Sequence, residues 1–228
     1  MDNNYEYKTH AIVYIDILGV KDIIDNDNTG ESILKIKSIV KSAEQSALKV
    51  LPESDKCSEL KYKFFSDNVI FAIDLEQPSN AIYLLWITCI FVDEILRSCG
   101  WLCRGAFTYG DLYIDDEVVW GKGLVRSYYL ENSIASYPRI IFDPDCMKKI
   151  NGNFIISNTL TKLDFDGLYY LDYIWFVNNP YNRKNAVDDY RIAIKNIRNI
   201  KKTDERIRQK LDWFENYINE FERFNKNQ

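Results

Sequence analysis

Residues 63–72 read KFFSDNVIFA, two apolar runs with Ser66, Asp67 and Asn68 between them. The flanking residues suit extended backbone. Ser, Asp and Asn favour turns because their short side chains hydrogen-bond nearby backbone groups. The segment therefore predicts a β-hairpin with strands near 60–65 and 68–74. Upstream, THAIVYIDILG (9–19) alternates Ala11, Val13 and Ile15 with Ile12 and Tyr14, the pattern of a strand buried on both faces that ends at Asp16. Between them, Ile33, Leu34, Ile36, Ile39, Val40, Ala43, Ala47 and Leu48 recur with a helical period, with Thr29 or Ser32 as cap.

Downstream, Pro78-Ser79 opens a second helix running to about Ser98. GWLCRGAFTYGDLYID (100–115) reads as a strand with a glycine-marked bend, and EVVW (117–120) as its partner. GKGLVRSYYLENSIAS (121–136) is a short helix that stops before Pro138, and RIIFDP (139–144) supplies another strand. This order predicts an α+β fold, a ferredoxin-like sandwich with helices covering one face of a mainly antiparallel sheet. DGLYYLDYIW (166–175) suggests an edge strand. In 201–224, Ile207, Leu211, Phe214, Ile218 and Phe221 form the apolar stripe of a terminal helix that either caps the core or joins two chains. The division expected is a core over 1–150 and a C-terminal extension over 151–228.

Composition narrows the chemistry. With 46% apolar residues in 228, the chain has ample material for a core. Its longest apolar run, AIYLLWITCIFV (81–92), is too short to span a bilayer, and MDNNYEYKTH lacks a signal-peptide layout. Five cysteines without a CxxC pair argue against a disulfide framework or zinc site and fit a cytoplasmic protein. A net charge of -5 gives no support for binding nucleic acid or anionic membrane. The single histidine, His10, removes HExxH and Ser-His-Asp chemistry, and neither a P-loop nor GxGxxG is present. Carboxylates with a metal ion are what remains.

If the first strand lies beside the hairpin, Asp16 and Asp67 converge. Such a pair prefers magnesium or manganese, commonly two ions about 3.5–4 Å apart around a phosphate. Ile17, Leu18, Gly19 and Val20 lead into the next helix, where backbone N–H groups suit a polyphosphate. The plainer alternative makes Asp16 a helix cap and Asp67 a turn residue.

Taken in order, YIDILGVKD, KFFSD, RGAFTYG and WGKGLVRSYYLENSIAS resemble the class III nucleotide cyclases, most closely the bacterial pyrimidine cyclases of the Pycsar antiphage system. The resemblance spans residues 8–145. It implies metal ligation by Asp16, Asp67 and the Ile17 carbonyl, two Mn2+ or Mg2+ ions per site, and Arg104 on the triphosphate. Arg104 has a structural alternative, an ion pair with Asp111 or Glu131. Lys63 or the adjacent Tyr62 falls where the family reads the base, and alternation lets only one of them face it. The family's asparagine and transition-state arginine are replaced by Val125 and Tyr129, leaving Lys122, Arg126 or Arg139 to supply charge. The implied activity is cyclisation of UTP to 3′,5′-cyclic UMP by a homodimer with shared sites, signalling to a separate effector. The alternatives are a cytidylate cyclase, a non-catalytic nucleotide-binding dimer and, more distantly, a metal-dependent phosphodiesterase or nuclease.

Overall fold

The computed structural model of the chain describes residues 6–49, 58–77, 79–150, 159–178, 186–200 and 205–226. Its first strand, β1 (Lys8–Leu18), continues two residues past Asp16. A single turn, α1 (Lys21–Ile24), precedes α2 (Glu31–Leu48). Of the two caps expected for α2, Thr29 Oγ1 accepts the first helical N–H, that of Glu31, at 3.4 Å, whereas Ser32 lies inside the helix. The Asp27 carboxylate adds the shorter bonds, accepting the N–H groups of Gly30 and Ser32, each at 2.8 Å.

The hairpin is β2 (Lys61–Phe65) and β3 (Asn68–Asp74), turning through Ser66 at φ 56. Next comes α3 (Asn80–Cys99), closed by the left-handed Gly100; Pro78 lies outside the described residues. Two long arms follow: β4 (Leu102–Ile114) with its short partner β5 (Val119–Trp120), and then α4 (Lys122–Ser133). The chain continues through β6 (Ile140–Phe142), α5 (Pro144–Ile150), β7 (Thr161–Leu163), β8 (Tyr169–Leu171), α6 (Tyr173–Asn178), α7 (Ala186–Ile200) and α8 (Glu205–Lys226).

Among the described residues the sheet runs β2-β3-β1-β4-β6-β8-β7, with β5 hydrogen-bonded to β4. Every pairing is antiparallel except β4 with β6. The DGLYYLDYIW segment thus divides: Tyr169–Leu171 is a strand inside the sheet, β7 takes the edge, and Tyr173 begins a helix.

The period-two pattern of β1 sorts its side chains between two cores. Ala11, Val13, Ile15 and Ile17 point into the larger core with Val69, Phe71 and Phe107, under α2, α3 and the C-terminal helices. Ile12 and Tyr14 face the other way with Ile70, Ala72 and Leu112. The second face is not bare, because α4 lies on it through Leu124 and Leu130. Its approach needs two glycines: a Cβ on Gly123 would stand 2.3 Å from Ile12 Cδ1, and one on Gly110 would stand 2.5 Å from Gly123 Cα.

The predicted stripe of α8 turns inward; Leu211, Phe214, Ile218 and Phe221 are buried and Ile207 packs beside them. Two polar anchors fix this layer. Tyr190 on α7 donates to the buried Asp93 carboxylate of α3 at 2.5 Å. Arg139, ahead of β6, is 1% exposed and sits among the rings of Tyr137, Tyr170 and Trp213, 5.5, 5.8 and 5.6 Å from their centroids. Asp164 and Asp166 from the β7–β8 turn pair with its guanidinium, and Trp213 Nε1 donates to Asp164 at 2.8 Å.

Candidate active site

The site forms where β1 ends. In the sheet register Asp16 stands opposite Asn68 on β3 and Arg104 on β4. The β2–β3 turn is tied to the same point, because Ile17 N–H donates to the Asp67 carbonyl at 2.8 Å. Asp16 and Asp67 are thereby neighbours in space although 51 positions apart in sequence. Asn68 Nδ2 donates to Asp67 Oδ1 at 2.9 Å and steadies the turn carboxylate.

Arg104 projects from the same sheet face as Asp16. Its Nη2 donates to Asp16 Oδ2 at 3.0 Å and Nη1 to the Ala135 carbonyl at 3.2 Å. It also forms an ion pair with Glu131 of α4, whereas Asp111 accepts from Thr9. Of the two structural partners considered for Arg104, Glu131 is the one present. Burial raises the pKa of both Asp16 and Glu131; for each, the other carboxylates push further upward while Arg104 opposes the shift. Burial similarly holds the Tyr14 hydroxyl up at about 12. The Tyr14 ring meets Tyr128 of α4 edge-on, centroids 5.8 Å apart.

Three carboxylates, Asp16, Asp67 and Glu131, thus bear on one another with Arg104 between them. With all of them ionised, three negative charges face one positive charge here, a balance that favours an additional cation. Among the described residues no group of three or more His, Cys, Asp or Glu side chains is arranged to hold a metal ion. A cation at Asp16 and Asp67 would therefore complete its shell with backbone, water or ligand oxygens. An all-oxygen donor set fits magnesium or manganese.

The remaining predicted residues separate. Ile17 and Val20 are buried; Leu18 is half-buried, and Gly19 is exposed at φ 83, where a left-handed turn favours glycine. The Val20 carbonyl is used by Ile23 and Ile24 N–H in the single turn of α1. Lys63 pairs in register with Ile70 and so shares the face of Tyr14 and Asp16, with Nζ donating to the Asp116 carbonyl at 2.5 Å. Tyr62 pairs with Phe71 and belongs to the opposite face, with its ring against Phe64. Strand alternation thus puts Tyr62 on the sheet face opposite Asp16 and Lys63.

The candidates for replacement charge are also reduced. Arg139 is enclosed in its aromatic cage. Arg126 is held by both oxygens of Asp143, at 2.7 and 2.9 Å. Lys122 is exposed at the start of α4. Val125 and Tyr129 point outward, 68% and 50% exposed. One contributor was absent from the sequence reading: the Lys210 ammonium on α8 also favours the ionised form of Asp16. It was missed because a lysine in a charged terminal helix carries no sequence signal of a distant carboxylate.

No protein-family model and no curated protein sequence matches the chain. Solved structures do. The monomeric guanylyl cyclase domain of the RhoGC fusion protein from the aquatic fungus Blastocladiella emersonii is 11% identical, with a TM-score of 0.51 over 73% of this chain and 95% of that one. The catalytic core of a rhodopsin-guanylyl cyclase with converted specificity, in complex with ATPαS, is 12% identical, with a TM-score of 0.50 over 72% and 95%. The likeness is one of fold: a mixed α+β architecture with the open, mostly antiparallel sheet of class III cyclase domains. Among the described residues no helix is long and apolar enough to cross a membrane.

Proposed function

We propose that the protein is a nucleotide cyclase acting on a pyrimidine ribonucleoside triphosphate, UTP in preference to CTP, and releasing the 3′,5′-cyclic monophosphate and pyrophosphate. The observation that carries this reading is the convergence of Asp16 and Asp67 beside Arg104 on a sheet of cyclase topology. Asp16, Asp67 and the Ile17 carbonyl would hold two magnesium or manganese ions, whose chemistry when bound is to polarise phosphate oxygens and lower the pKa of an adjacent hydroxyl.

The reaction balances without a protein nucleophile. The ribose 3′-oxygen bonds to the α-phosphorus, the bond from that phosphorus to the bridging oxygen breaks, and pyrophosphate leaves as the hydroxyl proton is released. Arg104 exchanges its contact with Asp16 for the triphosphate, adding positive charge where negative charge develops. Glu131 and the Ala135 carbonyl keep the guanidinium at that position. Lys63, on the same sheet face, is the remaining candidate for a hydrogen bond to the base.

The active form in this reading is a homodimer with shared sites. Its support is the outer surface around α4: Trp120 and Val125 are 67% and 68% exposed and Tyr128 and Tyr129 are each half exposed, beside a groove of about 810 Å³. An apolar patch of this kind marks an interaction surface. A nearby partner chain would also supply groups that one chain lacks around Tyr129. Following the Pycsar resemblance, the cyclic nucleotide would act in the cytoplasm on a separate effector during phage infection.

The test is incubation with each of the four ribonucleoside triphosphates and manganese, followed by mass spectrometry. One cyclic pyrimidine product is the expected result; absence of any cyclic product from a folded dimer refutes the proposal. That negative result would favour a non-catalytic nucleotide-binding dimer, a reading supported by the engaged state of Arg104 and by Tyr129 in place of arginine.

A further inference from the structure

Tyr14 stands on the same strand and the same sheet face as Asp16. In register it lies opposite Ile70 on β3 and Ala106 on β4, one pleat before the row of Asn68, Asp16 and Arg104. Two residues of strand separate it from Asp16, a rise of about 6.8 Å. Helix α4 runs along both rows: Glu131 pairs with Arg104 and, three residues earlier, Tyr128 meets the Tyr14 ring. Tyr14 shares an apolar cluster with Ile12, Ile70, Ala72 and Leu112 and is only 8% exposed. Its hydroxyl nevertheless makes no hydrogen bond with any described residue and is not sealed from solvent. A tyrosine hydroxyl buried to this degree normally has a partner. Phenylalanine would fill the same space, so packing does not account for the oxygen.

We infer that the Tyr14 hydroxyl hydrogen-bonds the ribose 2′-hydroxyl of the nucleotide and so selects ribonucleotides over 2′-deoxyribonucleotides. The inference rests on the cyclase reading and deepens it, because the roles that the resemblance gives to YIDILGVKD fall on Asp16 and Ile17 and none falls on Tyr14. In that reading the reacting 3′-oxygen sits at Asp16 and Asp67, and the triphosphate lies toward the turn at Gly19, beyond the end of β1. Tyr14 lies the other way along the strand, where its neighbours are uncharged and apolar. A phosphate needs cations or several N–H donors, which this cluster does not offer. A neutral hydroxyl on the carbon next to the reacting one suits it, because phenol and 2′-hydroxyl can each donate and accept. A site built to hydrogen-bond a substrate hydroxyl rejects the analogue that lacks it, since its own polar group is then left unpaired under the ligand.

The experiment measures equilibrium binding of two triphosphates that cannot cyclise because both lack the 3′-hydroxyl: 3′-deoxy-UTP, which keeps the 2′-hydroxyl, and 2′,3′-dideoxy-UTP, which has neither. Calorimetry on the full chain with magnesium, repeated with the matching cytidine pair, gives the affinity ratio. Wild type should bind the 2′-hydroxyl compound about tenfold more tightly for at least one base. Tyr14→Phe should bring that ratio close to one while leaving the affinity for the dideoxy compound and the Tm as in wild type. A role in packing alone would move both affinities together or neither. In turnover, Tyr14→Phe should raise KM for UTP and lose the preference over 2′-deoxy-UTP. Equal wild-type binding of the two analogues, binding of neither, or a ratio unchanged in Tyr14→Phe overturns the inference. Cyclic product from a protein whose ratio does not depend on Tyr14 would remove this contact and leave the cyclase reading intact. A Tyr14-dependent ratio in a protein that cyclises no nucleotide would keep the contact and refute the cyclisation.

Discussion

Replacing Arg104 with alanine should destabilise the protein in a pH-dependent way. The guanidinium stands between Asp16 and Glu131, whose side chains are 16% and 4% exposed, while its own side chain is 20% exposed. Removing one member of a buried ion pair costs roughly 3–5 kcal/mol because the partner charge is left uncompensated. Residual exposure places this case near the lower end, about 3 kcal/mol at pH 7.5. Both carboxyls already have raised pKa values through burial, and Arg104 works against that rise. Its deletion raises them further. For an acid whose folded-state pKa lies above its unfolded value, the penalty is absent below the unfolded pKa and grows as pH rises through the folded one. The deficit relative to wild type should therefore shrink to about 1 kcal/mol near pH 5. Urea unfolding of both proteins at the two pH values measures it, and Glu131→Gln added to Arg104→Ala should restore part of the loss at pH 7.5. A deficit equal at both pH values, or no rescue by Glu131→Gln, would refute the electrostatic account.

Lys63→Ala should raise KM for the preferred triphosphate or alter base selectivity, while Tyr62→Ala leaves both unchanged; competition assays with UTP and CTP distinguish them. Tyr190→Phe leaves the fully buried Asp93 short of a donor and should cost about 1–3 kcal/mol, read by calorimetry as a drop in Tm of about 2–4 °C per kcal/mol. Val125→Asp should shift the protein from dimer to folded monomer in light scattering, with activity falling in parallel; an active monomer would remove the shared-site proposal.

The first half of the fold was legible because its signals are local. β1 carries apolar residues on both faces, the Ser-Asp-Asn turn fixes a hairpin, and α2 has a clean helical period. Placing Asp16 beside Asp67 then required only that β1 lie next to β3. Tyr62 and Lys63 were ambiguous for a physical reason: β2 is an edge strand with partly exposed residues on both faces, so its own sequence does not reveal which side is inward. The part of Asp27 in capping α2, beside Thr29, was not legible because its carboxylate reaches the helix from outside, across a turn. β7 and β8 are three residues each and depend on pairing with β6 and each other, leaving little periodicity to read.

The cage around Arg139 sets an order of events during synthesis. Arg139 leads into β6, which pairs with β4 directly beside Arg104. Its compensating carboxylates arrive with the β7–β8 turn, and one of its three rings, Trp213, arrives only with α8. As the chain leaves the ribosome, β1 through β6 emerge while this guanidinium still needs water, and the edge of β6 must stay open to provide it. The cage around Arg139, next to the strand that carries Arg104, is complete only once α8 has been made. A nascent or prematurely terminated chain would thus hold all four cyclase-like motifs with the Arg139 cage still open on the side of Trp213.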